Sequence, residues 1–327
     1  MIFGLSYYEI CSDFLIYSFL GWVLEVVYNA VKSGKIVNRG FLNGPLCPIY
    51  GVGMVCLMMF LNSIDPSTAA EDTNVFVLFG AGFLFGSAVE LIGGWILDKL
   101  FHMRWWDYSK QPFNIKGYVC LGFSLLWGIG CIVVVGMIYP LIAEASGAVM
   151  EYQAVWIIML ILYAGITADL IVTICTIAGL NKKLKEIDTL SRQMRTVSDA
   201  MTEHIGSAAC KTADKIEEKQ VQASLAKDTI MDKASAAKDE AAAQYEKMGN
   251  RMFNAAVSVQ MQKTEYQNKL ASLTDDLMKQ AVRKSSGLHR MLTAFPNMQS
   301  HISFDTINSL KESLLPKNKK NENESDS

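Results

Sequence analysis

Apolar and polar positions divide this 327-residue chain into two unlike stretches. Up to about Ala178 it runs as long apolar segments with short polar breaks. Five windows, 14–31, 45–64, 75–97, 119–142 and 154–178, approach the roughly 20 apolar residues a helix needs to cross a bilayer. The first is short and extends back through Tyr7 and Tyr8 if read generously. Beyond residue 180 apolar positions become sparse and periodic. Leu180, Leu184, Ile187, Leu190, Met194, Val197, Met201 and Ile205 recur at threes and fours, the spacing of a helix with a narrow apolar seam. From Ala208 to about Lys284, Ala, Lys, Glu, Asp and Gln dominate with few breakers, which predicts long helices in an intermittent coiled coil. Pro296 interrupts that pattern, residues 303–315 predict one further short helix, and the closing "PKNKKNENESDS" has the composition of a disordered tail. The expected fold class is an all-α integral membrane protein of five transmembrane helices with a cytoplasmic α-helical, coiled-coil extension. Its expected divisions are 1–179 in the membrane, 180–290 as long helices, 291–315 as a short helical tail, and 316–327 disordered.

Charge sharpens this division. Residues 1–179 hold seven Lys/Arg and twelve Asp/Glu, whereas residues 180–327 hold 23 and 20. In the first stretch every Lys and Arg falls in alternate connections: Lys32, Lys35 and Arg39, then Lys99, Arg104, Lys110 and Lys116, with Lys182, Lys183 and Lys185 after the fifth window. The positive-inside rule then places the N-terminus outside and the long C-terminal region in the cytoplasm. The N-terminal segment is not read as a signal peptide, since no Lys or Arg precedes the apolar run and no small-x-small site follows it. Nucleic-acid binding is a poor reading, because the basic residues are interleaved with acids. Seven cysteines and four histidines show no metal-ligand spacing, so neither a metal nor a cofactor is expected, and the thiols read as small apolar residues.

Three acids interrupt the apolar windows: Glu25, Glu90 and Asp169. An ionisable group at such depth costs at least a few kcal/mol and usually faces the bundle interior. Gly21–Glu25–Asn29, Gly82–Gly86–Glu90–Gly94 and Gly165–Asp169–Thr173 step by four, so each acid shares a helix face with small or polar residues. Each also lies about 9–14 Å from the inner end of its helix at 1.5 Å per residue, so the three share one layer. Arg39 is the one cation expected to reach that layer, pairing with Glu25 or Glu90. The layer reads as interhelical hydrogen bonding, as a substrate path, or as acid/base machinery.

Arg39 belongs to "NRGFLNGPLCPIYG", whose glycines and prolines oppose regular helix while its apolar side chains oppose a free loop. Irregular backbone at membrane depth is tolerated where protein buries it or where it lines a wet cavity. The segment reads either as re-entrant or as a compact interfacial turn before a proline-started helix. In the next inner connection Trp105, Trp106 and Tyr108 read as an interfacial aromatic belt or as ligand contacts, with Asp107, Asn114 and Cys120 at the same level.

"YSFLGWVLEVVYNAVKSGKIVNRGFLNGPLCPIYGVG" and "ELIGGWILDKLFHMRWWDYSKQPFNIKGYVCLGFSLLWG" together resemble the ABC-transporter type IV family, bacterial membrane proteins described as ABC transporter permeases. The resemblance covers about residues 10–180, with a fainter echo in "FPNMQS" at 295–300. The matching positions include Glu25, Asn38, Arg39, Gly40, Gly44, Pro45, Cys47, Pro48, Gly51, Glu90, Trp106, Asp107, Tyr108, Asn114 and Cys120, and the family supplies a role for none of them. The resemblance implies a permease-like subunit of undefined substrate in the bacterial plasma membrane, with the lipid bilayer as its surroundings. No GxxxxGK[ST] phosphate loop occurs in the chain, so transport requires a separate ABC ATPase and a homo- or hetero-oligomer. Two readings from other classes stand beside it. One is a membrane scaffold recruiting partners through its cytoplasmic helices. The other is an intramembrane enzyme using Glu25, Glu90 or Asp169 as acid or base, with Cys47 or Cys120 as nucleophile; lacking any catalytic motif it ranks last, so the chain is read as no enzyme.

Overall fold

A computed structural model describes residues 2–64, 70–225 and 231–314. The expected disorder of residues 316–327 lies outside the described residues. The first helix, α1, spans Tyr7–Ser33 and is longer at both ends than its apolar window. Its start is set by a capping box: the Ser6 hydroxyl accepts from the Glu9 amide at 3.2 Å, and the Glu9 carboxylate accepts from the Ser6 amide at 2.6 Å. Its end is set by Gly34, left-handed at φ 68°, whose amide reaches back to the Ala30 carbonyl.

Next comes α2, Pro48–Ile64, which packs antiparallel to α1. Asn62 lies beside Gly4, whereas Gly51 lies against Phe14 and Ser18, and Tyr50 against Gly21. Thus α1 runs about 18 Å past the level at which α2 begins, and residues 35–47 climb back to meet it. The chain needs those residues for bonding of another kind, described below, which is why the second apolar window yields a 17-residue helix starting at proline.

A second antiparallel pair follows. Helix α3 spans Val75–Phe101 and α4 spans Leu121–Val133. Between them β1 (Met103–Arg104), β2 (Asn114–Ile115) and β3 (Val119–Cys120) fold the inner connection, β2 pairing with β3. Pro140 cannot donate to the preceding turn, and just ahead of it the helix widens into a π-turn, Val134–Ile138, before α5, Tyr139–Val149. Helix α6 then spans Gln153–Leu225 and α7 spans Met231–Val282. Among the described residues, four helical stretches are by length and composition able to cross a membrane: Tyr7–Ser33, Val75–Phe101, Leu121–Val149 and Gln153–Ala200; Pro48–Ile64 is apolar but shorter.

Two compact units result. One comprises residues up to Leu184 together with those from Leu277 onward, the other Lys185–Asp276. In the second unit α6 and α7 lie antiparallel, with Lys269 Nζ 3.2 Å from a Glu186 carboxylate oxygen. A shallow groove beside this pair is lined by Ser191, Met194, Arg195, Ser198, Lys263 and Leu270. In the first unit, α8 (Gly287–Ala294), β4 (Gln299–Ser300) and α9 (Phe304–Leu314) return to the helices of the N-terminal stretch. There β4 pairs antiparallel with β1, and His301 Nε2 sits 2.8 Å from Asp98.

Candidate functional site

Each of the three acids has found a different set of donors. Glu25 accepts from the Tyr50 hydroxyl at 2.8 Å. Tyr50 meets the Trp127 ring edge-on, with centroids 5.5 Å apart. Trp127 in turn donates its indole N–H to Glu90 at 3.1 Å, and the Tyr108 hydroxyl donates to the other Glu90 oxygen at 2.9 Å. Glu25 and Glu90 are therefore the two acceptor stations of one continuous line of polar and aromatic groups through α1, α2, α3, α4 and the inner connection. Glu90 is only 6% exposed, so its two donors offset the cost of taking a carboxylate out of water.

Helix packing makes this line possible. Gly82 and Gly86 on α3 face Cys131 and Trp127 on α4 so closely that a Cβ at Gly82 would stand 2.7 Å from the Trp127 carbonyl oxygen. Small residues at both positions let the backbones approach and bring the indole within reach of Glu90. The small-residue face expected around Asp169 is different: Gly165 is exposed and has nothing within 4 Å.

Asp169 is instead enclosed by the 38–47 segment. It accepts from the amides of Asn43 (3.0 Å) and Gly44 (2.7 Å) and from the Asn43 side-chain amide (2.8 Å), with the Thr173 hydroxyl at 3.4 Å. Asn38 shapes the same segment: it donates to the Asn43 carbonyl and accepts from Gly40 N and from Trp22 Nε1. At its far end the Cys47 amide bonds the Ser18 carbonyl at 2.9 Å. The stretch is thus tied to α1 and α6 along its length.

Of the two partners expected for Arg39, its nearer one is Glu25, at 3.8 Å. That distance is beyond hydrogen-bond reach, and Arg39 Nε has no hydrogen-bond partner among the described residues. With side-chain exposures of 23% and 31%, the pair falls nearer the surface class of ion pairs, worth about 0–1 kcal/mol, than the buried class. Nor is Arg39 the one cation at this level. Arg290, on α8, donates to the Gly40 carbonyl at 2.7 Å, the Phe41 carbonyl at 3.1 Å and the Asn43 side-chain oxygen at 3.0 Å. It lies in the charged C-terminal stretch, where nothing local marks it out. A faint signal was the adjoining "FPNMQS": Phe295 packs on Trp105, and Gln299–Ser300 form β4.

The remaining motif positions divide by task. Gly40 and Gly44 give backbone groups to Arg290 and Asp169, Pro45 is exposed, Pro48 starts α2, and Gly51 sits under α1. Trp106 bonds the Tyr118 carbonyl at 2.8 Å, and Asn114 accepts from Gly117 N while donating to the Gln111 carbonyl. Cys120 is buried at the start of α4. For Asp107 burial opposes ionisation, but bonds from the Ser109 hydroxyl and amide and the charge of Arg104 outweigh it and hold the carboxyl below its ordinary range. Trp105 is 4% exposed and meets Phe41 at a tilt and Phe101 and Phe295 edge-on, so it faces protein. A further buried acid, Asp13 on α1, is 4% exposed and leaves one carboxylate oxygen without a partner among the described residues. The first apolar window begins one residue later, so hydropathy alone does not mark this acid.

Long apolar helices enclosing hydrogen-bonded carboxylates fit a membrane protein of several spans. Residues 12–174 match the family described as Putative ABC-transporter type IV, so the N-terminal helix bundle is similar to that family. The match takes in Glu25, Arg39, Glu90 and Asp169 and ends well before Arg290. Neither a curated protein nor a solved structure matches the chain.

Proposed function

We propose that the chain is a permease-like membrane subunit of an ABC-type transport system, acting with a separate ATPase in a homo- or hetero-oligomer. The observation that carries this reading is the polar line from Glu25 through Tyr50, Trp127 and Glu90 to Tyr108, within a family associated with transport. Carboxylates in apolar helices are costly, and substrate or ion paths are their usual use. ATP hydrolysis falls to another polypeptide, as the sequence has no phosphate loop. Affinity purification of the full chain in mild detergent after cross-linking should retain an ABC ATPase at near-stoichiometric yield. If no nucleotide-hydrolysing protein is retained, the permease reading fails. The scaffold reading then takes its place, favoured by the antiparallel long helices of Lys185–Asp276, whose seam suits a coiled coil.

In this reading α2 is a fifth crossing. Its 17 residues span about 25 Å, short for a bilayer core but supported by its antiparallel run along α1. The 35–47 segment is then re-entrant from the cytoplasmic side of the bacterial plasma membrane, with the N-terminus outside. Single cysteines at Lys110 and Glu151 test this orientation. In intact cells an impermeant maleimide should label position 151 and spare 110, and the reverse pattern overturns the assignment.

A further inference from the structure

Arg290 donates three hydrogen bonds to uncharged oxygens of one short segment, the carbonyls of Gly40 and Phe41 and the side-chain oxygen of Asn43. Asn43 is the pivot. Its Oδ1 takes the guanidinium, while its Nδ2 goes to Asp169 at 2.8 Å and Thr173 at 3.1 Å. An amide side chain has one acceptor end and one donor end, so a fixed cation on the first sets the direction of the second. Arg290 therefore orients the Asn43 amide toward Asp169 without touching the acid itself. Four residues on, Cys47 closes the same stretch and is 5% exposed.

We propose that Arg290 is a latch on residues 38–47: seated, it holds Asn43 on Asp169 and seals Cys47 from water; swung out, it lets the segment open. The moving part is the side chain. Helix α8 stays anchored through buried Leu288, Met291 and Leu292, whereas Arg290 itself is half-buried, so its head can turn into water without the helix leaving. Arg290 is thus a positioning residue, acting on Asp169 through Asn43. The latch does not depend on what, if anything, the membrane helices transport.

The test reads the thiol of Cys47 in the full-length protein, purified in detergent, with the other six cysteines replaced. N-ethylmaleimide is the probe, and a matched protein keeping only Cys131, buried between α3 and α4, reports general loosening. Arg290→Ala should speed modification of Cys47 at least about tenfold, since a single charge-assisted hydrogen bond is worth a factor of that order in the opening equilibrium. Removing a nearby positive charge by itself disfavours thiolate and slows the reaction, so a rise reports opening. Arg290→Lys should fall between wild type and alanine, because an ammonium group cannot reproduce the three-way fork. Cys131 should keep its wild-type rate throughout. An unchanged Cys47 rate in Arg290→Ala, or an equal rise at Cys131, overturns the latch. If the alanine variant does not yield folded protein, Arg290→Lys decides alone, and a Cys47 rate equal to wild type is then the overturning result.

Discussion

Gly51→Ala should lower the melting temperature of the detergent-purified protein sharply, whereas Gly53→Ala, two residues along the same helix, should leave it level or raise it. A Cβ at Gly51 would stand 2.4 Å from the Phe14 carbonyl oxygen and 2.3 Å from Ser18 Oγ. The hydroxyl can rotate away, but the backbone oxygen cannot, so α1 and α2 must part by about the overlap. Overpacking of this kind costs about 1–3 kcal/mol, and the upper end applies where backbone must move. Two bonds cross the same junction and would stretch with it, Cys47 N to the Ser18 carbonyl and Tyr50 to Glu25. At Gly53 nothing lies within 4 Å, so alanine gains helix propensity of up to about 1 kcal/mol without a clash. Equal melting temperatures for the two variants would show that the helices do not meet as described.

Asp169→Asn should cost about 3 kcal/mol of stability, and Glu25→Gln less than about 1 kcal/mol, in the same denaturation assay. Both swaps remove one charge and keep size, so the difference lies in the donors left behind. Asp169 receives two backbone amides and one side-chain amide from Asn43 and Gly44 within 3.0 Å. Asparagine offers one acceptor oxygen and turns an NH2 toward a remaining donor, so at least one N–H of the segment goes unpaired. Bonds to a charged acceptor are the stronger kind, at about 1.5–3 kcal/mol each. Among the described residues Glu25 has Tyr50 as its one hydrogen-bond donor and Arg39 only at 3.8 Å, and glutamine keeps an oxygen for the phenol. A reversed order of the two losses would sink this account of the acid layer.

The acids themselves were legible because charge inside an apolar window stands out against its background. Their partners were less so, for reasons that differ from case to case. Tyr108 lies 18 residues from Glu90 and Trp127 lies 37 away, and sequence spacing does not encode which aromatic folds back onto which acid. Arg290 stands among many Lys and Arg residues, where composition gives no contrast, and it reaches Gly40 across 250 residues. Helix ends were missed in a more local way. The start of α1 is written in Ser6 and Glu9 as a capping box, yet an apolarity window cannot register polar residues that begin a helix. In the fourth window the π-turn follows from Pro140, a residue that hydropathy averages away. The odd composition of residues 38–51 was legible as a break in helix, but that its amides serve Asp169 on α6 is a long-range fact.

The link from Arg290 to Asn43 joins residues 247 positions apart. At about 5–20 residues per second a ribosome needs on the order of tens of seconds to cover that distance. Through that interval the segment from Asn38 to Cys47 is already made and its final bonding partner does not yet exist. The helices that precede α8 therefore meet an unfinished joint, and the joint closes only once residue 290 has been made. A nascent chain that stalls before α8 carries residues 38–47 and Asp169 but lacks the guanidinium that bonds that segment, so the contact itself records that translation has passed Arg290.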